Sequence, residues 1–186
     1  MGKTEVAKTF SSLGIPVFDA DAEVHRIYEN GIAAAALKDV CPAAITGDHI
    51  DRQILAGLIA ADQGLMKKVT AKIHPLVQEA EQKFRAKQTG DFAVIDSPLI
   101  LETGRARDMD LLVVVSATPE NQRIRALARP GMTLEKFEMI TSRQMPDEDK
   151  RKWADYVIEN NGTKAELVQT VKDLIAHIQD NAVDHA

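Results

Sequence analysis

An α/β fold with a parallel sheet is predicted by three features of the 186-residue sequence. A Gly-Lys-Thr triplet at residues 2–4 opens an amphipathic helix. Short apolar runs end in aspartate at residues 15–19 and 92–96, which is typical of buried parallel strands that end at a ligand-binding edge. Residues 31–88 have a helical pattern with no clear strand. We therefore expect a three-layer α/β/α fold with a helical insertion.

The composition limits the class of protein. The net charge is −5 at pH 7, so no overall positive field favours nucleic acid. Cys41 is the single cysteine, which rules out an internal disulfide and fits a reducing compartment. No apolar run reaches the length of a membrane span, and the amino terminus has no signal-peptide core. We expect a cytoplasmic protein without nucleic-acid or membrane partners; its oligomeric state does not follow from the sequence.

The opening helix carries the first motif. Gly2-Lys3-Thr4 matches the second half of the phosphate-binding loop pattern G-x-x-x-x-G-K-[ST]. A glycine lets the backbone approach a phosphate, and the helix dipole attracts the anion. Lys3 can reach the β- and γ-phosphates of a nucleotide, and the Thr4 hydroxyl can hold Mg²⁺. The other interpretation is a polar helix start with a solvated lysine.

The first half of this pattern would precede Met1. A phosphate-binding loop follows a central buried strand, and a sheet without that strand has an unfilled slot with unpaired backbone and exposed apolar surface. We therefore expect Met1 to be an internal methionine of a longer chain, and the first, central strand to be absent. On this basis the 186 residues alone are expected to be unstable or inactive.

Two aspartates follow the first apolar run. Asp19 and Asp21 come at the end of the strand predicted over residues 15–18. Either carboxylate is a candidate general base or ligand of a Mg²⁺-bound water. Either could instead cap the helix that is predicted to begin near Ala22. We expect at least one of the two to act in catalysis.

The helical block is predicted to form a lobe inserted between strands. Its helices are predicted over residues 33–40, 51–61, 64–73 and 76–87. His74-Pro75 is expected to interrupt the helical pattern, with Pro75 in the first turn of the next helix. Such a lobe is the usual place for a second-substrate pocket. His74 is a candidate ligand contact there, and the alternative is a hinge or cap.

Two further strands are predicted at residues 92–96 and 111–115. The first ends in Asp96, whose carboxylate is expected to hold a Mg²⁺-bound water, as in other phosphate-loop proteins. The alternative is a cap at the strand end. A last strand over residues 155–159 leads to a turn at Asn161-Gly162 and an amphipathic closing helix.

A basic helical stretch lies between the third and the last of these strands. Its cations are Arg123, Arg125, Arg129, Lys136, Arg143, Lys150 and Arg151. Acidic residues are interspersed, so a solvated face is one interpretation. Nucleotide kinases, however, place arginines on a mobile lid that neutralises charge during phosphoryl transfer. Pro130-Gly131 would break the helix as a lid hinge does.

Six motifs together resemble the dephospho-coenzyme A kinase family over nearly the whole chain. They are Gly2-Lys3-Thr4, Asp19-Ala20-Asp21, Ile73-His74-Pro75, Asp96-Ser97-Pro98-Leu99 with Glu102, Gln144-Met145-Pro146, and Ala154-Asp155-Tyr156-Val157-Ile158 with Asn161-Gly162. The resemblance implies that the γ-phosphoryl group of ATP is transferred to the ribose 3′-hydroxyl of dephospho-coenzyme A, with Mg²⁺ as cofactor. That reaction is the last step of coenzyme A synthesis.

The resemblance also implies roles for individual residues. Asp21 resembles the base that accepts the 3′-hydroxyl proton, with Asp19 nearby at the metal or substrate, and Lys3 is the second catalytic residue. The implied ATP-binding residues are Gly2, Lys3, Thr4, Arg129, Asn161 and Gly162. The implied acceptor-binding residues are Asp19, His74, Pro98, Leu99 and Glu102, and the implied metal ligands are Thr4 and Asp96. Leu101 stands where the family has a bulky aromatic residue.

We therefore expect a P-loop kinase-like organisation in three parts. Residues 1–30, 90–122 and 153–186 are expected to form a nucleotide-binding core, residues 31–89 an acceptor-binding lobe, and residues 123–152 a lid. Two other classes stay open at this point. One is a P-loop kinase of another small metabolite or of a nucleoside monophosphate, and the other is a remnant with impaired catalysis.

Overall fold

Helices and short strands alternate along the chain. The computed structural model describes residues 2–142 and 144–183, and Arg143, one of the predicted lid cations, lies outside the described residues. The elements are α1 (Lys3–Ser12), β1 (Val17–Asp19), α2 (Ala20–Glu29), α3 (Ile32–Leu37), β2 (Ile45–Thr46), β3 (His49–Ile50), α4 (Arg52–Ala61), α5 (Gln63–Arg85), β4 (Val94–Asp96), β5 (Val113–Ser116), α6 (Pro119–Leu127), α7 (Leu134–Ser142), α8 (Asp147–Trp153), β6 (Tyr156–Glu159) and α9 (Lys164–Val183). Short 3₁₀ turns occupy Pro42–Ala44 and Arg105–Asp108.

Contacts divide the chain into two units. Unit 1 consists of Met1–Val17 and Asp96–Ala186, and unit 2 consists of Phe18–Ile95. Strands β1 and β4, which contain the two boundaries, pair with each other. The three-part division predicted above, with a separate lid, stays a prediction.

Unit 1 contains a parallel strand pair and the first and last helices. β5 and β6 run parallel, with Val113 opposite Tyr156 and Ser116 opposite Glu159. α1 packs against α9, because α1 buries Val6 and Phe10 four residues apart. The inner face of α9 consists of the buried residues Leu167, Val171 and Leu174. The predicted α/β class with parallel strands is thus confirmed.

Unit 2 is a helical body around one apolar cluster. Helix α5 contributes a buried stripe, one residue every four, consisting of Leu65, Val69, Ile73 and Val77. Helices α2, α3 and α4 pack against it. The rest of the cluster includes Phe18, Ile27, Ala33, Leu37, Cys41 and Leu55. Cys41 is therefore a buried packing residue.

The predicted interruption at His74-Pro75 is wrong. Helix α5 is continuous from Gln63 to Arg85 and includes Pro75. A proline inside a helix costs about 3 kcal/mol. Burial of each large apolar side chain of the α5 stripe contributes about 1.5–3 kcal/mol. These side chains lie on both sides of the proline, so their combined burial exceeds its cost.

A short hairpin inside unit 2 was not predicted. Strands β2 and β3 are antiparallel, with Ile45 opposite Ile50 and Thr46 opposite His49. Gly47 in the connecting turn has φ 64°, a left-handed conformation that glycine adopts at little cost. Two residues per strand give too short a periodic pattern for recognition from the sequence.

Candidate active site

The amino end of α1 has the features of an anion site. Gly2 precedes the helix with φ 95°, and no side chain of the described residues caps this end. The first N–H groups of a helix have no carbonyl partner within it and carry the positive end of the helix dipole. Thr4 is exposed in the first turn. The free N–H groups, the exposed hydroxyl and the lysine side chain are thus presented at one end of the helix.

Lys3 is paired with the aspartate at the end of β4. Its ammonium group donates a hydrogen bond to Oδ1 of Asp96, and both residues belong to unit 1. The Asp96 side chain is only 5% exposed, whereas that of Lys3 is 36% exposed. A buried carboxylate is strongly destabilising unless a cation or hydrogen-bond donors neutralise it. The pair therefore brings together two predicted site residues and fixes the direction of the Lys3 side chain.

The turn after β6 is attached to the start of α6. Oδ1 of Asn161 accepts hydrogen bonds from the Thr118 backbone N–H at 2.7 Å and from Nδ2 of Asn121 at 3.2 Å. Gly162 follows in the same turn, where a Cβ would overlap the Glu166 carboxylate. Arg129 is exposed beyond the end of α6, at the predicted Pro130-Gly131 break. The break itself is confirmed, because α6 ends at Leu127 and α7 begins at Leu134.

Glu102 contacts the segment that was predicted to form the lid. Its Oε1 accepts a hydrogen bond from the Met145 backbone N–H at 2.9 Å and lies 3.2 Å from Nζ of Lys150. Burial by itself would raise the pKa of Glu102, but the Met145 N–H and the Lys150 ammonium outweigh it, and the pKa lies below its ordinary value. Glu102 is therefore held ionised. Pro98 is half-buried and Leu99 exposed in the turns that precede it.

The remaining predicted residues lie in unit 2. Asp19 caps α2, since its Oδ1 accepts a hydrogen bond from the Ala22 backbone N–H at 2.9 Å. Asp21 is exposed in the first turn of the same helix. His74 is exposed in the middle of α5 and is neither a cap nor a hinge. Of the two roles left open for the aspartates, Asp19 thus takes the capping one.

A polar network between α8 and strands β5 and β6 was not predicted from the sequence. The Ser116 hydroxyl donates to Oδ2 of Asp147 at 2.6 Å and accepts from Nη2 of Arg151 at 2.8 Å. Arg151 also pairs with Glu159 at 2.6 Å and with Asp147 at 2.9 Å. These carboxylates, Glu159 first, raise the pKa of Arg151 further. Asp147 and Arg151 are four residues apart, a spacing that predicts an ion pair on one face of a helix. Their contacts with Ser116 on β5 and Glu159 on β6 could not be predicted from the sequence.

These features define a class of protein. A Gly-Lys-Thr triplet at a helix start, a lysine paired with a strand-end aspartate and a parallel strand pair are the parts of a nucleotide-binding kinase of the P-loop class. The family model that matches the chain, CoaE, is described as dephospho-CoA kinase and covers residues 1–166. The chain belongs to the dephospho-CoA kinase family.

Individual relatives agree with this assignment. The dephospho-CoA kinase of Nitrobacter winogradskyi is 43% identical over 180 residues, which are 95% of this chain and 89% of the relative. That of Cereibacter sphaeroides is 41% identical over 183 residues, 98% of this chain and 92% of the relative. That of Rhodopseudomonas palustris strain CGA009 is 43% identical over 164 residues, 87% and 82% of the two chains.

Solved structures have the same fold. TT1252 from Thermus thermophilus aligns with a TM-score of 0.82 and 32% identity, over 95% of this chain and 91% of that chain. Dephospho-CoA kinase from Campylobacter jejuni aligns with a TM-score of 0.70 over 97% and 92% of the two chains, and its 22% identity supports the fold alone. Among the helices at residues 2–142 and 144–183, none combines the length and the apolar character that crossing a membrane requires.

Proposed function

We propose that this protein transfers the γ-phosphoryl group of ATP to the ribose 3′-hydroxyl of dephospho-coenzyme A and so completes coenzyme A. Family membership supports the substrate pair. The observation that carries the chemistry is the contact of Lys3 with Asp96 at the amino end of α1. It orients a phosphate-binding cation beside the free N–H groups of the helix.

The nucleotide is bound by unit 1 in this proposal. Gly2, Lys3 and Thr4 receive the phosphates, because backbone N–H groups and an ammonium neutralise their charge. The turn at Asn161 and Gly162 lies beside the adenine. Arg129 is exposed beyond the end of α6, so it is available to the phosphates as a lid arginine. Phosphoryl transfer is catalysed mainly by alignment and charge neutralisation, which these groups provide.

Mg²⁺ fits the donor atoms of the same region. The Thr4 hydroxyl and the Asp96 carboxylate are oxygen donors, which Mg²⁺ prefers, and this ion usually takes one or two protein ligands together with substrate phosphates and waters. Thr4 would hold the ion directly and Asp96 through a water. When bound, the ion neutralises charge on the β- and γ-phosphates.

The acceptor is oriented by Asp21 in this proposal. A carboxylate within hydrogen-bond reach of the 3′-hydroxyl aligns the nucleophile and takes its proton late in the transfer. Asp21 is exposed in the first turn of α2, and Asp19 holds that turn by capping it. His74, Pro98, Leu99 and Glu102 are proposed to contact the rest of dephospho-coenzyme A.

We also propose that residues 123–152 act as a lid on the nucleotide-binding core. The break between α6 and α7 at Pro130-Gly131 gives this segment a hinge. Gly131 has φ 73°, a left-handed backbone conformation that glycine adopts at little cost. A cytoplasmic location is proposed as well, since Cys41 is a free buried thiol, as is usual in reducing compartments.

The test is an assay of phosphoryl transfer with several acceptors. The protein is incubated with ATP, Mg²⁺ and either dephospho-coenzyme A or a nucleoside monophosphate, and products are identified by mass spectrometry. We expect coenzyme A and ADP in equal amounts with the first acceptor and no product with the second. Transfer to the nucleoside monophosphate alone would move the protein to the other kinase class.

The same assay addresses the remaining alternative. Nucleotide binding without turnover of either acceptor would identify a remnant with impaired catalysis.

A further inference from the structure

Asn160 lies against the phosphate-binding end of α1. It follows directly after β6, and the residue is only 6% exposed. Gly2 adopts φ 95°, and a Cβ on Gly2 would overlap the Asn160 side-chain nitrogen and lie 3.3 Å from its Cγ. The side-chain amide of Asn160 thus occupies the space that any side chain at position 2 would need.

Asn160 is itself held by two backbone contacts within unit 1. Its N–H donates to the Ser116 carbonyl at 2.8 Å, at the end of β5. Its carbonyl accepts a hydrogen bond from Nη1 of Arg125 at 2.6 Å. Arg125 Nη1 also lies 3.9 Å from the position of a Cβ on Gly2. The main chain of the residue that packs on Gly2 is therefore fixed from β5 and from α6.

We infer that Asn160, supported by Arg125, is a positioning residue that holds Gly2 in its left-handed conformation and so directs Lys3 and the first turn of α1 toward the phosphates. The contact at Gly2 is independent of the substrate, whereas its catalytic consequence rests on the proposed function. Because Gly2 precedes the first helical residue, a change in its φ would rotate the free N–H groups of the first turn away from the anion.

Gly14 at the other end of α1 provides a matched control. It has φ 85°, close to that of Gly2, but apart from its chain neighbours no atom of the described residues lies within 4 Å of the position of its Cβ. Gly14→Ala therefore incurs the cost of the left-handed conformation only. The left-handed conformation costs a non-glycine residue roughly 1–2 kcal/mol. In a protein of this size each kcal/mol lowers the melting temperature by about 2–4 °C, so we expect a loss of about 2–8 °C. Its KM for ATP should stay unchanged.

The contact is tested by a double-mutant cycle on thermal stability. Gly2→Ala should lower the melting temperature more than Gly14→Ala, because it adds the overlap with Asn160 to the backbone strain. In an Asn160→Ala background, the further loss caused by Gly2→Ala should fall to that of Gly14→Ala. The same loss with and without the Asn160 amide would overturn the inference. These melting temperatures are measured without substrate, so the cycle tests the contact between Asn160 and Gly2 even if the proposed function is rejected.

The positioning role is tested by the kinetics of phosphoryl transfer. Asn160→Ala should raise the KM for ATP about tenfold or more and leave the KM for dephospho-coenzyme A unchanged. Asn160→Asp keeps the size of the side chain but places a negative charge at the phosphate end, and should raise the KM for ATP further. Asn30→Ala, at the exposed end of α2, should change neither constant.

A purely structural role gives a different pattern. It lowers kcat through loss of folded protein, leaves both KM values alone, and makes Asn160→Asp no worse than Asn160→Ala. That pattern would contradict the inference. Absence of activity in the unmutated protein would instead reject the proposed function, and the stability cycle would still stand.

Discussion

The two units differ in what holds their important residues in place. Unit 2 is organised around contiguous apolar side chains contributed by its helices and by Phe18. In unit 1 the predicted site residues, and Asn160, are held by charged and polar pairs between distant segments. These pairs are Lys3 with Asp96, Glu102 with Lys150, Asn161 with Thr118, and Arg125 with Asn160. Apolar packing is non-directional, whereas hydrogen bonds fix the angles of individual groups.

This difference predicts different consequences of mutation. Truncation inside the apolar cluster of unit 2 should act on the free energy of unfolding, and removal of the Lys3 cation at the start of α1 in unit 1 should act mainly on turnover. Effects on the two quantities can be ranked together, since a tenfold change corresponds to about 1.4 kcal/mol.

The largest effect is expected in the apolar cluster of unit 2. Leu37 is fully buried, so Leu37→Ala should lower the free energy of unfolding by about 2–5 kcal/mol. Ile54 on α4 is 43% exposed, and Ile54→Ala should cost about 0.5 kcal/mol or less. Urea unfolding measures both. Comparable losses in the two variants would mean that the cluster is not the source of stability in this unit.

The next effect is expected at the amino end of α1. Lys3→Ala removes a cation that the proposed mechanism places on the phosphates, and should lower kcat/KM for ATP by about 10²–10³-fold. Lys8 lies on the same helix with an exposed side chain and a loose 3.4 Å pair to Glu5. Lys8→Ala should leave kcat/KM within a factor of about 2.

A second variant separates catalysis from stability at this pair. Lys3→Ala leaves the buried Asp96 carboxylate without its cation, which is destabilising. Adding Asp96→Asn should recover the melting temperature without recovering turnover. Recovery of both would reduce Lys3 to a structural partner of Asp96.

A smaller effect is expected from the proposed base. Asp21→Asn should lower kcat by about 10²-fold with little change in the KM for ATP, because the amide can still orient the hydroxyl but cannot take its proton. Asp39→Asn, in the exposed turn after α3, is the control and should retain normal kcat. Near-normal turnover of Asp21→Asn would remove Asp21 from the mechanism.

The apolar pattern of the sequence predicted the elements better than their partners. The strands before Asp19 and Asp96 were found because short apolar runs end in a carboxylate, and the helical character of residues 64–73 and 76–87 was also predicted. The continuity of α5 through Pro75 was missed, since a local rule does not include the burial energy on both sides of a proline. Lys3 and Asp96 are 93 residues apart, and no local pattern indicates such a pair.

The functions predicted for single residues were also limited by the lack of information on long-range contacts. The Asp19-Ala20-Asp21 motif left both carboxylates as candidates, and a hydrogen bond to Ala22 was needed to identify the cap. Glu102 was predicted at the acceptor, whereas its contacts with Met145 and Lys150 depend on the fold of a segment much later in the chain. Sequence motifs thus predict which side chains matter, and the fold determines which of them are already engaged.

The smallest effect is expected in the pH dependence of the stability that the Glu102 carboxylate contributes. This effect tests the polar pairs of unit 1 most directly. The folded-state pKa of Glu102 lies below its ordinary value, which is about 4.3 in an unfolded chain. Its contribution to stability is therefore fully present above that pH and is lost as the pH falls through the folded-state pKa. Glu102→Gln keeps an acceptor for the Met145 N–H but loses the charge facing Lys150. This variant should be about 1 kcal/mol less stable than the unmutated protein at about pH 7.

The measurement is the melting temperature of both proteins from about pH 7 to about pH 3, a range that spans the ordinary pKa of a glutamate. Other carboxylates titrate in this range, but they are common to the two proteins and cancel in the difference between them. The difference should therefore shrink as the pH falls, because the unmutated protein then loses an advantage that the Glu102→Gln variant lacks at every pH. Glu138→Gln, on the exposed surface of α7, is the control for replacing a surface glutamate and should have a melting temperature close to that of the unmutated protein at about pH 7. A difference at Glu102 that is constant down to the lowest pH would mean that side-chain packing, and not the charge pair with Lys150, holds this part of unit 1 together.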